Sequence, residues 1–119
     1  MKIGDVSFWY ADTGLPETRR PALSGDTTAD VAIIGAGFTG LWTAWYLKQT
    51  QPDLNVLVIE KEFAGFGASG RNGGWCMGTF AWNHEKYAKV TSRAAVLDQV
   101  KALEGTVAEI TRICAEEGI

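Results

Sequence analysis

One stretch decides the fold of this 119-residue chain, and it reads Val31-Ala32-Ile33-Ile34-Gly35-Ala36-Gly37-Phe38-Thr39-Gly40. Its opening run of valine and isoleucine is typical of a strand buried on both faces, as in a parallel sheet. The glycines follow in G-x-G-x-x-G spacing, which predicts a turn from strand into helix. Gly35 permits the tight turn, Gly37 lets a pyrophosphate reach the backbone, and Gly40 lets the helix approach the sheet. Because the first helical amides lack partners within the helix, we expect a phosphate there.

A second strand is predicted over residues 54–59, and an acidic residue follows it. Glu60 stands twenty positions after Gly40, where dinucleotide-binding folds grip the ribose hydroxyls. The alternative is that Glu60 simply ends a strand in solvent. Strand, glycine turn, helix, strand and acid in this order favour a dinucleotide site, so the candidate cofactor residues here are Gly35, Ala36, Gly37, Phe38, Thr39, Gly40 and Glu60.

Three helices are predicted. The first runs from about Thr39 to Thr50, because Pro52 opposes its continuation. Its aromatic residues Trp42, Trp45 and Tyr46 should be partly exposed. Asn83 is predicted to cap a short helix that runs through about Lys89. A long amphipathic helix is predicted from about Ser92, as its N-cap, to Glu117, from apolar residues spaced by four and three positions. Its apolar positions are Val96, Val100, Leu103, Val107, Ile110 and Cys114, with Leu97 and Ile113 broadening the stripe. Gly118 is predicted to be the C′ residue that ends the helix.

A glycine-rich loop is the second informative stretch, and it reads Phe63-Ala64-Gly65-Phe66-Gly67-Ala68-Ser69-Gly70-Arg71-Asn72-Gly73-Gly74. Its glycines allow the backbone to pass close to a ligand. Arg71 offers a forked donor to phosphate or carboxylate, and Ser69 and Asn72 add short polar groups. The alternative is a flexible linker. A nicotinamide-binding domain needs no such loop after its second strand, so the loop favours a larger cofactor.

The chain resembles the FAD-dependent D-amino-acid oxidase superfamily. The residues that carry the resemblance are the glycine turn, Glu60-Lys61 and the run from Gly67 to Gly74. That superfamily includes glycine and sarcosine oxidases and D-amino-acid dehydrogenases. The glycine-rich loop is most similar to that of the gamma-glutamylputrescine oxidase branch. The resemblance covers about residues 30–80, and the aromatic residues before it fit the same branch.

The resemblance implies a role for each candidate residue. The glycine turn would approach the FAD pyrophosphate and Glu60 would bind the adenosine ribose. The glycine-rich loop would run past the pyrophosphate toward the flavin ring. Its candidate cofactor residues are Gly67, Ala68, Ser69, Arg71, Asn72, Gly73 and Gly74. Lys61, which follows Glu60, is a further candidate. Some relatives attach FAD covalently through a histidine near this loop. Because this chain has no histidine there, we expect non-covalent FAD.

The predicted fold class is α/β. It comprises a Rossmann-like βαβ unit, the N-terminal part of a D-amino-acid-oxidase-type flavoprotein, and the long amphipathic helix. Residues 1–28 are predicted to be an arm without helix or strand, docked by its aromatic cluster Ser7-Phe8-Trp9-Tyr10. Residues 29–119 are predicted to be an incomplete, N-terminal portion of an FAD-binding domain, since members of the resembling family are several times longer.

Composition excludes several other classes of protein. The net charge is −3, with 11 basic and 14 acidic residues, which implies no nucleic-acid surface. No apolar run approaches the roughly 18 residues of a membrane span, and Gly4 and Asp5, directly after Ile3, predict that there is no signal-peptide core. Cys76 and Cys114 show no pairing pattern, so free thiols in a reducing, cytoplasmic compartment are expected.

The segment Trp75–Phe80 is apolar enough to continue into the core, with Cys76 expected to be a buried structural thiol. The alternative is that Cys76 faces the flavin. His84 is the single histidine. His84-Glu85 begins like a zinc-protease helix, but position 88 is alanine, so the second metal ligand is missing and no metal site is predicted.

Two functions remain open. In the first, the chain is the FAD-binding segment of an enzyme that oxidises a small-molecule amine or amino acid at its C–N bond. Hydride would pass to FAD, and electrons would then pass to oxygen or another acceptor. In the second, the chain is a non-catalytic truncated fragment. A NAD(P)-binding module is a weaker third alternative. No pair of groups in this chain has the pattern of an acid and base, so amine oxidation by the chain alone is not expected.

Overall fold

The computed structural model describes residues 7–79 and 83–119. The chain divides into two compact units, residues 1–73 and residues 74–119. The first unit contains helix α1 (Phe8–Thr13), strand β1 (Val31–Ile34), helix α2 (Phe38–Thr50) and strand β2 (Val56–Ile59). The second contains helices α3 (His84–Val90) and α4 (Arg93–Glu117).

A parallel pair of strands is the centre of the first unit. β1 and β2 pair in register from Val31 opposite Val56 to Ile34 opposite Ile59. The pairing extends beyond the strand start, where the backbone amide of Asp30 donates to the carbonyl of Asn55 at 3.0 Å. The Asp30 carboxylate in turn accepts from the Asn55 amide at 2.8 Å. Both strands therefore lie where the sequence predicts them, with β2 shorter than the predicted 54–59 by two residues.

Helix α2 connects the two strands and contacts both. It ends at Thr50, as the following Pro52 predicts. The ammonium group of Lys48 donates to the carbonyls of Pro52 and Leu54, which fixes the turn into β2. This strand-helix-strand order with parallel strands is the βαβ unit that the sequence predicts.

The predicted burial of β1 on both faces is wrong for this chain. Val31 and Ile33 are half-buried, whereas Ala32 is exposed and Ile34 is 82% exposed. One helix can cover one face of a two-stranded sheet, so alternate residues of β1 lie open to solvent. On α2, Trp42, Trp45 and Tyr46 contact one another with ring centroids 4.9–6.0 Å apart. Tyr46 is 41% exposed, and both tryptophans are half-buried, in agreement with the expected partial exposure.

Helix α1 lies in the arm for which the sequence predicts neither helix nor strand. It spans six residues, and Gly14, with φ +79°, ends it. No acidic residue occupies its first turn and no side chain caps it, so helix-forming signals in the local sequence are weak. Its contacts with the glycine-rich loop, described below, supply the stabilisation that the local sequence lacks.

The second unit is a helical hairpin. Asn83 caps α3 by accepting from the Lys86 amide at 3.1 Å, and Ser92 caps α4 by accepting from the Ala95 amide at 3.1 Å. Gly118 ends α4 in the left-handed conformation, with φ +72°. The helix therefore has the predicted caps. Val96 and Ile113 are its buried residues.

The segment before α3 departs from its prediction. Trp75 is 82% exposed, Met77 is 58% exposed, and Cys76 is exposed rather than buried. The hairpin offers a small core, and residues 74–79 form no helix or strand that could bury alternate side chains in it. Phe80, the end of the predicted apolar segment, lies outside the described residues.

Candidate functional site

The glycine turn joins β1 to α2 within the first unit. Gly35 has φ +99°, a left-handed conformation that a side chain would strain. Its amide donates to the carbonyl of Ile59 at 2.7 Å, which continues the strand pairing beyond β1. Gly37 is the N-cap residue of α2 and provides no capping side chain. The chain therefore turns sharply from the strand into a helix whose N-cap residue has no side chain.

Gly40 allows a close approach of α2 to the end of β1. A Cβ atom at this position would collide with the carbonyl oxygen of Gly35 and would stand 3.2 Å from Cγ2 of Ile33. No residue larger than glycine fits without displacing the helix. This is the packing role that the spacing predicts for the third glycine.

The hydroxyl of Ser69 reaches the same turn from the glycine-rich loop. Its Oγ accepts a hydrogen bond from the Phe38 amide at 2.9 Å. A Cβ atom on Gly37 would stand 2.9 Å from this Oγ, so glycine at 37 is what lets the hydroxyl reach the helix N-terminus. By helix geometry, the amides of Thr39 and Gly40 also lack partners within α2.

Glu60 reaches the turn from the end of β2. Its Oε2 accepts from the Ala36 amide at 2.9 Å, and its Oε1 accepts from the Glu62 amide at 3.1 Å. These backbone donors, that of Ala36 first, hold the pKa of Glu60 below its usual range. The group is therefore an anion at neutral pH. A carboxylate has about four lone-pair positions, so it can still accept from hydroxyl groups.

The glycine-rich loop lies against the turn through its backbone as well. The amide of Gly65 donates to the carbonyl of Ala36 at 2.8 Å, and Gly65 has φ +80°. A single 3₁₀ turn, Ala68–Gly70, carries Ser69. The first unit ends at Gly73 and the second begins at Gly74. The structure thus brings Ala36, Phe38, Glu60 and Ser69 together.

The side chain of Arg71 contacts the glycine-rich loop itself, and Lys61 is exposed to solvent. Arg71 donates from Nε to the Phe66 carbonyl at 2.8 Å, and its guanidinium lies 4.5 Å from the centroid of the Phe66 ring. In this structure Arg71 therefore braces its own loop. Asn72 likewise bonds within the loop, from Nδ2 to the Ser69 carbonyl at 2.6 Å.

The sequence does not identify the surface on which the aromatic cluster of the arm docks. Trp9 and Tyr10 of α1 donate to loop carbonyls, and Gly65 begins the loop with a bond to the turn. The aromatic cluster in the arm was the available signal, and it predicted docking without identifying the surface. The partner could not be identified because both acceptors are backbone carbonyls, which every residue carries.

The described residues contain neither a cluster of metal ligands nor a membrane-spanning helix. In residues 7–79 and 83–119, no group of three or more histidine, cysteine or acidic residues is close enough to hold a metal ion. Within the same ranges, the helices are all too short or too polar to cross a membrane.

Comparison with known proteins identifies the family of the chain. The family model described as FAD dependent oxidoreductase matches residues 30–119. A probable oxidoreductase, OrdL of Haemophilus influenzae, is 38% identical over 84 residues, which are 71% of this chain and 19% of that protein. Gamma-glutamylputrescine oxidoreductase of Escherichia coli is 37% identical over 76 residues, 64% of this chain and 17% of that protein. The beta subunit of sarcosine oxidase from Rhodobacter capsulatus is 49% identical over 43 residues, 36% of this chain and 10% of that subunit.

These comparisons agree with the resemblance found in the sequence. The chain spans less than a fifth of the length of each of these curated relatives. No solved structure matches the chain significantly. The family is one of FAD-binding proteins with a Rossmann-like nucleotide-binding fold, in agreement with the βαβ unit, and its match spans the glycine turn, Glu60 and the glycine-rich loop. The chain belongs to the family of FAD-dependent oxidoreductases.

Proposed function

We propose that this chain binds FAD non-covalently and forms the cofactor-binding segment of an oxidoreductase that acts on the C–N bond of an amine or amino acid. The observation that carries the proposal is the convergence of two side chains on one glycine turn. Ser69 Oγ and the Glu60 carboxylate approach the turn from different segments, each at 2.9 Å from a backbone amide. Relatives named for gamma-glutamylputrescine and sarcosine support the class of substrate.

The residues of the turn fit a pyrophosphate. Gly37 leaves the N-terminus of α2 without a capping side chain, and the helix dipole adds partial positive charge there. The Ser69 hydroxyl stands beside this N-terminus and can rotate to donate to a phosphate oxygen. Glu60, kept anionic by its two amide donors, would accept from ribose hydroxyl groups. Arg71, Asn72 and Lys61 are proposed as further cofactor contacts by family resemblance.

Bound FAD would supply the two-electron acceptor for the reaction. The residues of this chain would bind and orient it. Both cysteines are free, Cys76 exposed and Cys114 half-buried. The proposal therefore assigns the chain to cofactor binding, and turnover of an amine by this chain with added FAD is not expected.

Equilibrium titration tests the proposal. FAD is added to the purified protein and followed by flavin fluorescence and by calorimetry, with NAD⁺ and NADP⁺ as comparison ligands. Saturable FAD binding at one site, and no competition from either nicotinamide dinucleotide, is the expected result. Saturable NAD(P) binding with no FAD binding would favour the nicotinamide alternative. No binding of any dinucleotide would favour the non-catalytic fragment.

A further inference from the structure

Two backbone carbonyls of the glycine-rich loop accept hydrogen bonds from adjacent residues of α1. The indole Nε1 of Trp9 donates to the backbone carbonyl of Asn72 at 2.7 Å. The hydroxyl of Tyr10 donates to the backbone carbonyl of Gly65 at 2.8 Å. One turn of α1 therefore contacts the loop at both Gly65 and Asn72. We call Trp9 and Tyr10 the aromatic clasp.

Ring contacts reinforce the aromatic clasp. The Tyr10 ring packs edge-on against Phe63, with ring centroids 5.5 Å apart. The Arg71 guanidinium lies 5.9 Å from the Tyr10 ring centroid and 4.5 Å from that of Phe66. A Cβ atom on Gly70 would stand 2.6 Å from the Tyr10 hydroxyl. The loop thus carries glycine at the point where the tyrosine approaches its backbone.

The aromatic clasp is linked to the glycine turn through the loop. Gly65, which accepts from Tyr10, donates its own amide to Ala36 of the turn at 2.8 Å. Asn72, which accepts from Trp9, donates its side-chain amide to the Ser69 carbonyl at 2.6 Å. The Ser69 hydroxyl then meets the Phe38 amide at 2.9 Å. Two hydrogen bonds therefore connect Tyr10 to the glycine turn. Two hydrogen bonds likewise connect Trp9 to Ser69, the loop residue that contacts the turn.

We propose that the aromatic clasp positions the glycine-rich loop, so that the Ser69 hydroxyl is held at the N-terminus of α2 before the cofactor arrives. Trp9 and Tyr10 are positioning residues, since they contact the loop backbone and act on the turn through it. The effect on FAD rests on the proposed function, whereas the effect on the loop does not. Holding the loop in advance reduces the ordering cost of binding.

The test uses Tyr10→Phe and Trp9→Phe, which remove one hydrogen-bond donor each and keep an aromatic ring. Tyr87→Phe, on α3 in the second unit, is the control for losing a tyrosine hydroxyl. Hydrogen exchange is measured without FAD at individual amides of residues 65–72, with β1 and β2 amides as the internal reference. The Trp9 indole N–H resonance is followed in the tyrosine variants. FAD affinity is then measured for each protein.

We expect about three- to tenfold faster exchange at residues 65–72 in Tyr10→Phe and Trp9→Phe, the range that follows from loss of one net hydrogen bond. The β1 and β2 amides and the Tyr87→Phe control should be unchanged. FAD affinity should fall by a similar factor, and saturating FAD should restore loop protection. A purely structural role would instead accelerate exchange in the strands as well.

Unchanged exchange at residues 65–72 in both clasp variants would overturn the proposal. So would faster exchange spread equally over the loop and the strands. If the wild-type protein binds no FAD, the proposed function fails, and the exchange measurement without cofactor still decides whether the clasp positions the loop.

Discussion

The hydroxyl of Ser69 accepts a hydrogen bond from the backbone amide of Phe38 at 2.9 Å. The contact joins residues 31 positions apart and brings the glycine-rich loop to the first turn of α2. The Phe38 amide has no acceptor within the helix, and the Ser69 hydroxyl supplies one. The same hydroxyl can donate a hydrogen bond to a phosphate oxygen.

Ser69→Ala is expected to weaken FAD binding by about three- to tenfold, because it removes a hydroxyl beside the phosphate position and leaves the Phe38 amide without its acceptor. Ser69→Thr keeps the hydroxyl and should bind more tightly than the alanine variant. Ser92→Ala is the matched control, since its hydroxyl accepts from the Ala95 amide at the start of α4. That variant should lose about 1 kcal/mol of stability with FAD affinity unchanged. Equal FAD affinity in Ser69→Ala and wild type would contradict the assignment.

Gly40→Ala is expected to destabilise the first unit by about 1–3 kcal/mol, because the added Cβ collides with the Gly35 carbonyl. The glycine turn would shift and FAD affinity would fall by more than about tenfold, the factor that corresponds to 1.4 kcal/mol. Gly105→Ala on α4 is the matched control, since nothing lies within 4 Å of its Cβ position. It should stabilise α4 by about 0.5–1 kcal/mol. Urea unfolding and FAD titration measure both effects, and a neutral Gly40→Ala would be evidence against the close approach.

Glu60 makes stability depend on acidity in a defined direction. Its pKa is lowered in the folded protein, so the unfolded chain binds its proton more readily. The stabilisation is present above the unfolded value of about 4.5 and is lost as pH falls through the lower folded value. Glu60→Gln should flatten the decline of melting temperature below about pH 4.5. Glu17→Gln, an exposed carboxylate in the arm, is the control. An acid profile of Glu60→Gln identical to wild type would exclude this linkage.

Ile113 and Leu97 both lie on α4 but differ in burial. Ile113 is 5% exposed and Leu97 is 50% exposed. Ile113→Ala should cost about 2–4 kcal/mol because a buried side chain leaves a cavity, and Leu97→Ala should cost much less. Circular dichroism during urea unfolding measures both, and the reverse order would contradict the packing of the second unit.

The sequence predicted the βαβ unit and helices α2, α3 and α4, because their signals are local. Glycine spacing, Pro52, Ser92 and Gly118 each act within one turn of the chain. Burial was predicted less well. Ile34 and Cys76 are exposed, because burial depends on what covers a residue and not on the residue alone. The contact between Ser69 and Phe38 and the docking surface of α1 could not be predicted, because both use backbone groups far apart in sequence.

The most direct test of the central claim is a nitrogen-15 amide spectrum of the protein recorded during FAD titration. The account predicts the largest chemical-shift changes at the amides of residues 35–40 and of Ser69, with smaller changes in α4. Changes confined to the second unit, or none at the glycine turn at saturating FAD, would show that the turn does not bind the pyrophosphate.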